Sequence, residues 1–523
     1  MNKVLLLASE NGAFKGAKVG GIADVIRDLP APLYEQGIQA DVVMPSYGFL
    51  IPQTNADFIA EYWVEFRETK EPIKLFKTSN PTSPETDCYF IDHSSWQNEP
   101  GQVYSDSGNR PFADDANKFA LFSVAVAEGL TQGYLPTPDC IHVHDWHSAF
   151  FLLCSRFMPQ YKVLKKIETV LTIHNLAIQG IRPLQFDDSS LEAWFPVFFS
   201  QLTKAQLSQI IDPRYSNCIN PLRVGINLAD RIHVVSPTYA KEILHPSDNA
   251  NGYFGGEGLE ADLLSRKKQL YGIINGCNYP TDSIRNTDSF VEFAQQARDT
   301  IIAWQGGKHA LSGQDYIADN RLEQLQAKNY IPSFVLTSVG RLTDQKMLIL
   351  RQATATHETV LDAVLDKLAQ FSDSALFVLV GSGDPQLTAI FRQVAARHEN
   401  FIFLNGYAES LPDWLYQNGD LFLMPSSFEP CGISQMLAMR EGQPCLVHGV
   451  GGLKDTVAHD KSGFVFNGRD LSEQANNLLE TLDYALTVSQ TEQWKKIKRS
   501  AKSRRFSWPK VAKEMKKKLY KFS

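Results

Sequence analysis

Short apolar runs recur along this chain, each ending in small or polar residues and each followed by a helix-like stretch, and they leave few folds open to it. The first series reads KVLLLAS, QADVVMP, CIHVHDW, ETVLTIHN, DRIHVVSP and YGIINGC, with helical text such as GGIADVIRDLPAPLYEQG and PTYAKEIL between the runs. Alternation of this kind predicts a parallel sheet covered on both faces by helices. The pattern fades between Tyr279 and Pro332, then resumes with SFVLTSVGRL, SALFVLVGSGD, NFIFLNGY, GDLFLMPS, QPCLVHG and SGFVFNG. The expectation is an α/β half over 1–278, a linker or insertion over 279–332, and a second α/β half over 333–505, followed by a basic helical tail. A chain of 523 residues is too long for one ordinary core, which agrees with this division.

Composition narrows the class further. Hydrophobic content of 43% and charged content of 21% are those of a soluble globular protein. A net charge of −7 argues against nucleic acid as the main partner. The opening MNKVLLLASENG is too short in its apolar run for a signal peptide and reads as a first strand. No apolar run approaches the roughly 20 residues that span a bilayer, so no membrane partner is expected. Seven scattered cysteines without a CxxC pair point to a reduced, cytoplasmic compartment rather than a disulfide framework.

In open parallel sheets ligands bind beyond the carboxyl ends of strands, so the residues just after each run are the candidates. Lys18, Gly20 and Gly21 open a helix after the first run, where backbone N–H groups, the helix end and a lysine charge suit a phosphate or sugar oxygen. The same glycines could simply make a tight turn. In HVHDWH, Asp145 is placed to accept sugar hydroxyls and Trp146 to offer a flat apolar face, or Asp145 caps the next helix. His142, His144 and His147 stand beside it without metal-site spacing, so no metal is expected. His174 and Asn175 end another run, with a structural histidine as the alternative.

The second half carries the cations. Arg341 and Lys346 follow the strand SFVLTSV and suit a departing diphosphate, unless they are only exposed surface charges. Gly381 and Gly383 of VGSGDP could add backbone donors. Tyr407 could stack on a nucleobase or fill the core. Glu429 lies between Phe428 and Pro430, with Cys431 next and Gly432 at the predicted start of a helix. Its carboxylate could bind sugar hydroxyls, counter positive charge on a sugar ring, or cap that helix.

Nine motifs in order, KVGGIADV, HVHDWH, LTIHNLAIQG, VVSPTYAKEI, GIINGCN, GRLTDQK, VGSGD, FEPCGISQ and GGLKDTV, make the chain resemble the bacterial glycogen synthases and plant starch synthases. That resemblance implies two Rossmann-like domains facing a deep interdomain cleft, the GT-B arrangement, with the terminal helix 506–523 crossing back onto the first domain. It implies retaining transfer of glucose from a nucleotide-glucose, usually ADP-glucose in bacteria, to the non-reducing end of an α-1,4-glucan, with neither metal nor cofactor. By resemblance, Asp145, His174, Arg341, Lys346 and Glu429 are the catalytic set. Lys18, Gly20, Gly21, Gly381, Gly383, Tyr407, Cys431 and Gly432 attend the donor, and Trp146, Asn175 and Asn275 attend the acceptor.

Departures from the family pattern bear on donor and glucan preference more than on reaction class. The first loop is long, Asn278 stands where the family usually has Asp, and Met347 stands where it usually has Gly. A transferase of the same architecture with another sugar nucleotide or a small acceptor, and a glucan-binding homologue without turnover, are the alternatives.

Overall fold

The computed structural model describes residues 1–104, 110–279, 289–306, 312–406 and 411–522. The chain divides into two compact units. One comprises Met1–Ser247, Gly255–Asn278 and Ser507–Ser523, and the other comprises Asp248–Phe254 and Tyr279–Phe506.

The first unit is built on a nine-stranded sheet. Neighbours are parallel from Leu270–Gly272 through Arg231–Val234, Glu168–Ile173, Cys140–His144, Asn2–Leu7 and Ile38–Pro45 to Ser83–Asp92. Asn2–Leu7 lies between Ile38–Pro45 and Cys140–His144, so strand order reverses beside it and the loops after Leu7 and His144 diverge. Thr69–Asn80 and Asp57–Phe66 extend the sheet antiparallel, as a hairpin that the strand–helix series did not anticipate. Its turn residues Arg67 and Glu68 have φ of 54° and 61°, the left-handed pair that suits the twist of a two-residue hairpin.

The second unit has six parallel strands in the order Phe401–Leu404, Ala375–Val380, Phe334–Val339, Leu421–Met424, Cys445–His448, Gly463–Phe466. This is the 3-2-1-4-5-6 order of dinucleotide-binding sheets, and its reversal falls between Phe334–Val339 and Leu421–Met424. The stretch 279–332, expected as a linker or insertion, supplies helices Phe290–Gly306 and Gly313–Ala327 to this unit. Phe293, Ala297, Ile301 and Leu322 join one core with Val335, Val378 and Trp414, and the Phe293 and Trp414 rings stack at 4.2 Å. Its surface residues obscured this apolar stripe in the sequence. Met347, the departure from the family glycine, is 2% exposed and fills the core on the other face of the sheet.

The terminal helix Trp508–Lys518 packs in the first unit, placing Trp508, Val511, Ala512 and Met515 in one core with Val4 and Leu33. Gly276 of GIINGCN leaves room for it, since a Cβ there would lie 2.4 Å from the Trp508 ring. Among the described residues no helix is long and apolar enough to cross a membrane.

Candidate functional site

Each sheet collects chemistry where its strand order reverses. In the first unit, helix Asp145–Phe157 begins directly after strand Cys140–His144, with His144 as its N-cap residue. Asp145 and His147 therefore stand in the opening turn of that helix. Asp145 has φ of 51°, a left-handed conformation uncommon for a residue with a side chain. Its Oδ1 accepts the backbone N–H of His174 at 2.7 Å, so the carboxylate serves the neighbouring strand end rather than capping its own helix. Burial pushes its carboxyl up to about 7, against the lowering effect of the His174 and Asn175 amides and with some help from Glu10.

The folded chain holds the Asp145 proton between about 4 and about 7, a range in which the unfolded chain has lost it, so the stability it confers falls as pH rises through that window. If the ionised form accepts a substrate hydroxyl, kcat/KM should rise with pH through about 7 in the wild-type protein. Asp145→Asn is expected to lose that limb, which a pH–rate profile of the two proteins checks.

Glu10 is the residue that sequence reasoning missed. It is 2% exposed, and its Oε2 accepts the backbone N–H groups of Val19 and Gly20 at 2.7 and 2.6 Å. Its Oε1 accepts the Tyr104 hydroxyl at 2.7 Å, and the Tyr104 ring stacks on His147 at 5.0 Å. Gly20 thus spends its amide on Glu10 and is not a free anion donor, which corrects the expectation for that residue. Gly21 opens helix Gly21–Asp28, and a Cβ there would meet nothing within 4 Å. Lys18 is part-exposed and paired with Asp24 at 2.8 Å. If the donor approaches Gly21, Gly21→Ala is expected to fold normally, because alanine favours the helix, and to raise donor KM about tenfold by filling that space. Initial rates and a melting curve separate the two effects.

Asn175 is half-buried, and its Oδ1 accepts the Ala177 amide at 2.9 Å. Asn275 lies beyond the edge strand Leu270–Gly272, 4% exposed, with Oδ1 lacking a partner among the described residues. Trp146 corrects a second expectation. It is 3% exposed, set edge-on against Phe119 at 5.4 Å, with Gly180 so close that a Cβ there would lie 2.2 Å from the ring. Its flat face is packed rather than presented to a sugar. The histidines around it are neutral, since desolvation lowers His142, His144 and His174 well below the ordinary imidazole range and His147 to about 3.

In the second unit the loops after Phe334–Val339 and Leu421–Met424 meet through an ion pair between Lys346 and Glu429. The Glu429 side chain is 7% exposed and its Oε2 also accepts the Ser426 hydroxyl at 3.1 Å. Gln345 ties the loops a second time, donating from Nε2 to Phe428 O at 3.0 Å while its own carbonyl accepts Ser427 N–H at 2.9 Å. Glu429 is held from behind as well. Its carbonyl accepts Gly452 N–H at 3.0 Å, and a Cβ on Gly451 would lie 1.9 Å from that oxygen, which explains the glycine pair in GGLKDTV. The next helix is Ser434–Glu441 with Ile433 as N-cap, so Glu429 does not cap it and Gly432, at φ of 75°, turns the chain before it. Gln435 Nε2 fastens that turn to the carbonyls of Cys431 and Gly432, and Cys431 is 5% exposed.

Arg341 is exposed and makes no ion pair among the described residues. The glycines of VGSGDP place it. Gly381 would drive a Cβ to 1.9 Å from Gly340 O, and Gly383, at φ of 157°, to 2.3 Å from Leu342 O. Gly381 donates its amide to Leu404 O at 3.0 Å. Its role is close approach of two strand ends, not a backbone donor for an anion, which corrects the expectation. Tyr407 lies outside the described residues.

The comparisons follow this division. Residues 3–265 match the family model for the starch synthase catalytic domain, and residues 333–483 match that for glycosyl transferases group 1. The chain is 33% identical to the glycogen synthase of Streptococcus equi subsp. equi, covering 97% of each, and 30% identical to that of Photobacterium profundum, covering 98% of this chain and 93% of the relative. Among solved structures it is similar to the catalytic domain of starch synthase IV from Arabidopsis thaliana bound to ADP and acarbose. That match has a TM-score of 0.73 and 24% identity, covering 99% of this chain and 98% of the other. Its two α/β units are those of the GT-B fold. The chain belongs to the glycogen and starch synthase family and is a glycosyltransferase.

Proposed function

We propose that this chain transfers glucose from ADP-glucose to the non-reducing end of an α-1,4-glucan with retention of configuration. The observation that carries this reading is the pairing of Lys346 with the buried Glu429 where the second sheet reverses its strand order, with Arg341 without an ion pair among the described residues, between strand Phe334–Val339 and the short helix Asp344–Met347 that carries Lys346. Breaking the bond between sugar and diphosphate builds negative charge on phosphate oxygens and positive charge on the sugar ring. Arg341 and Lys346 answer the first charge, in place of a metal ion, and Glu429 answers the second. Asp145 and His174 hold hexose hydroxyls, and Lys18 with the open space at Gly21 attends the donor. Adenine as the base follows the family pattern and the nucleotide in the starch synthase IV complex.

The test is a panel of ADP-glucose and UDP-glucose, each with glycogen, maltohexaose and a sugar phosphate. Chain extension of glycogen or maltohexaose with ADP-glucose is the expected result. Transfer to the sugar phosphate alone, or binding of glucan without transfer, contradicts the reading.

A further inference from the structure

Beside Asp145, two chains of hydrogen bonds run through His233, His142, His144 and His174, and the protons in the first can be placed one by one. His233 Nε2 faces the Ile273 carbonyl at 3.2 Å, and a carbonyl only accepts, so that nitrogen carries the proton. His233 is neutral, because burial lowers it to about 4, so its Nδ1 is bare and accepts the Thr172 hydroxyl at 2.9 Å. Thr172 Oγ1 is then free to accept from His142 Nε2, and the bare His142 Nδ1 takes the Tyr520 hydroxyl at 2.6 Å. Every polar atom in this chain is satisfied.

The second chain is shorter and ends open. His144 Nδ1 and His174 Nε2 lie 2.9 Å apart, so one donates and the other accepts. His144 is 1% exposed, stacked on His142 at 4.4 Å, and its Nε2 has no partner among the described residues. Were His174 the donor, the single proton of neutral His144 would sit on Nε2 as a buried N–H without an acceptor. Orphaned buried N–H groups are rarer in folded proteins than orphaned acceptors, and an unsatisfied donor bears the full cost of its desolvation. With His144 Nδ1 as donor, the orphan is instead a bare ring nitrogen.

We infer that His144 is a positioning residue: it donates from Nδ1 to His174 Nε2 and so fixes His174 in the tautomer whose proton is on Nδ1. His174 is half-buried, and its Nδ1 has no partner among the described residues. Its ring therefore offers an N–H donor on the residue whose backbone amide the Asp145 carboxylate accepts. A donor and an acceptor so placed can engage the oxygen of one hydroxyl group and the proton of another. The kinetic part of this inference rests on the assignment of His174 to the sugar; the tautomer itself does not.

The test is nitrogen-15 NMR of protein labelled only at histidine, with the His174 signals identified by their loss in His174→Gln. Two variants accompany the wild type. His144→Phe keeps a flat ring and removes the donor, and His144→Asn keeps an N–H near the position of Nδ1. In the wild type, His174 Nδ1 is expected to give the shift of a protonated nitrogen and Nε2 that of a bare one. His144→Phe removes the partner that fixes the tautomer and is expected to draw the two signals toward the averaged shifts of exchanging tautomers and to lower kcat/KM for donor about tenfold, with His144→Asn restoring both. A protonated Nε2 on His174 in the wild type, or signals unmoved in His144→Phe, overturns the inference. Averaged signals in His144→Phe with unchanged kinetics leave the tautomer standing and overturn the placement of His174 at the sugar.

Discussion

Arg341→Ala is expected to lower kcat about 100-fold or more and to leave the unfolding transition where it is. The guanidinium is exposed and without an ion-pair partner among the described residues, so removing it strands no buried charge. Its position is nonetheless built with care, since Gly381 and Gly383 bring a second strand end against the backbone on either side of it. A cation held on a rigid strand end and left unpaired in the free protein is available to a ligand. Preorganised charge aimed at a departing anion is typically worth a few kcal/mol in the transition state, hence the expected loss. Steady-state rates with a melting curve check both halves. Near-normal turnover would mean that the diphosphate leaves elsewhere.

Lys346→Ala is expected to cost turnover by a similar factor but, unlike Arg341→Ala, to cost stability too. Lys346 pairs with Glu429, whose side chain is 7% exposed, and its loss leaves the Ser426 hydroxyl as the remaining side-chain partner among the described residues. A buried carboxylate stripped of its cation destabilises by roughly 1–3 kcal/mol. Pairing Lys346→Ala with Glu429→Gln should recover most of that stability, since the amide carries no charge to strand, and recover none of the turnover. Chemical denaturation of the two single variants and the double variant isolates the coupling. Equal stability in Lys346→Ala and wild type would mean that the pair is not formed in solution.

The strand ends and the fold were legible in the sequence. Apolar runs ending in polar residues located the strand ends, and reversal of strand order beside Asn2–Leu7 and beside Phe334–Val339 makes those ends the place for ligands. Asp145, Arg341, Lys346 and Glu429 follow strands at those reversals, and His174 follows the next strand over, Glu168–Ile173. What the text of the chain withheld is which polar atoms are already spent. Glu10 also follows the first run, but its meaning depends on Tyr104, 94 residues away, and on two amides of the loop it closes. The amides of Gly20 and Gly381 are consumed by Glu10 and Leu404, and the Trp146 face is covered by Gly180, contacts made by folding rather than by spacing. His144 looked like one member of a histidine-rich run, and its 2.9 Å approach to His174, with Nε2 left without a partner among the described residues, distinguishes it from His142.

The most direct test of glucosyl transfer is a stoichiometry. With ADP-glucose and glycogen, ADP released and glucose incorporated at non-reducing ends are followed in the same initial-rate experiment. One glucose gained per ADP released is the result this account requires. ADP release without chain extension, or extension that proceeds equally well in Arg341→Ala, would contradict it.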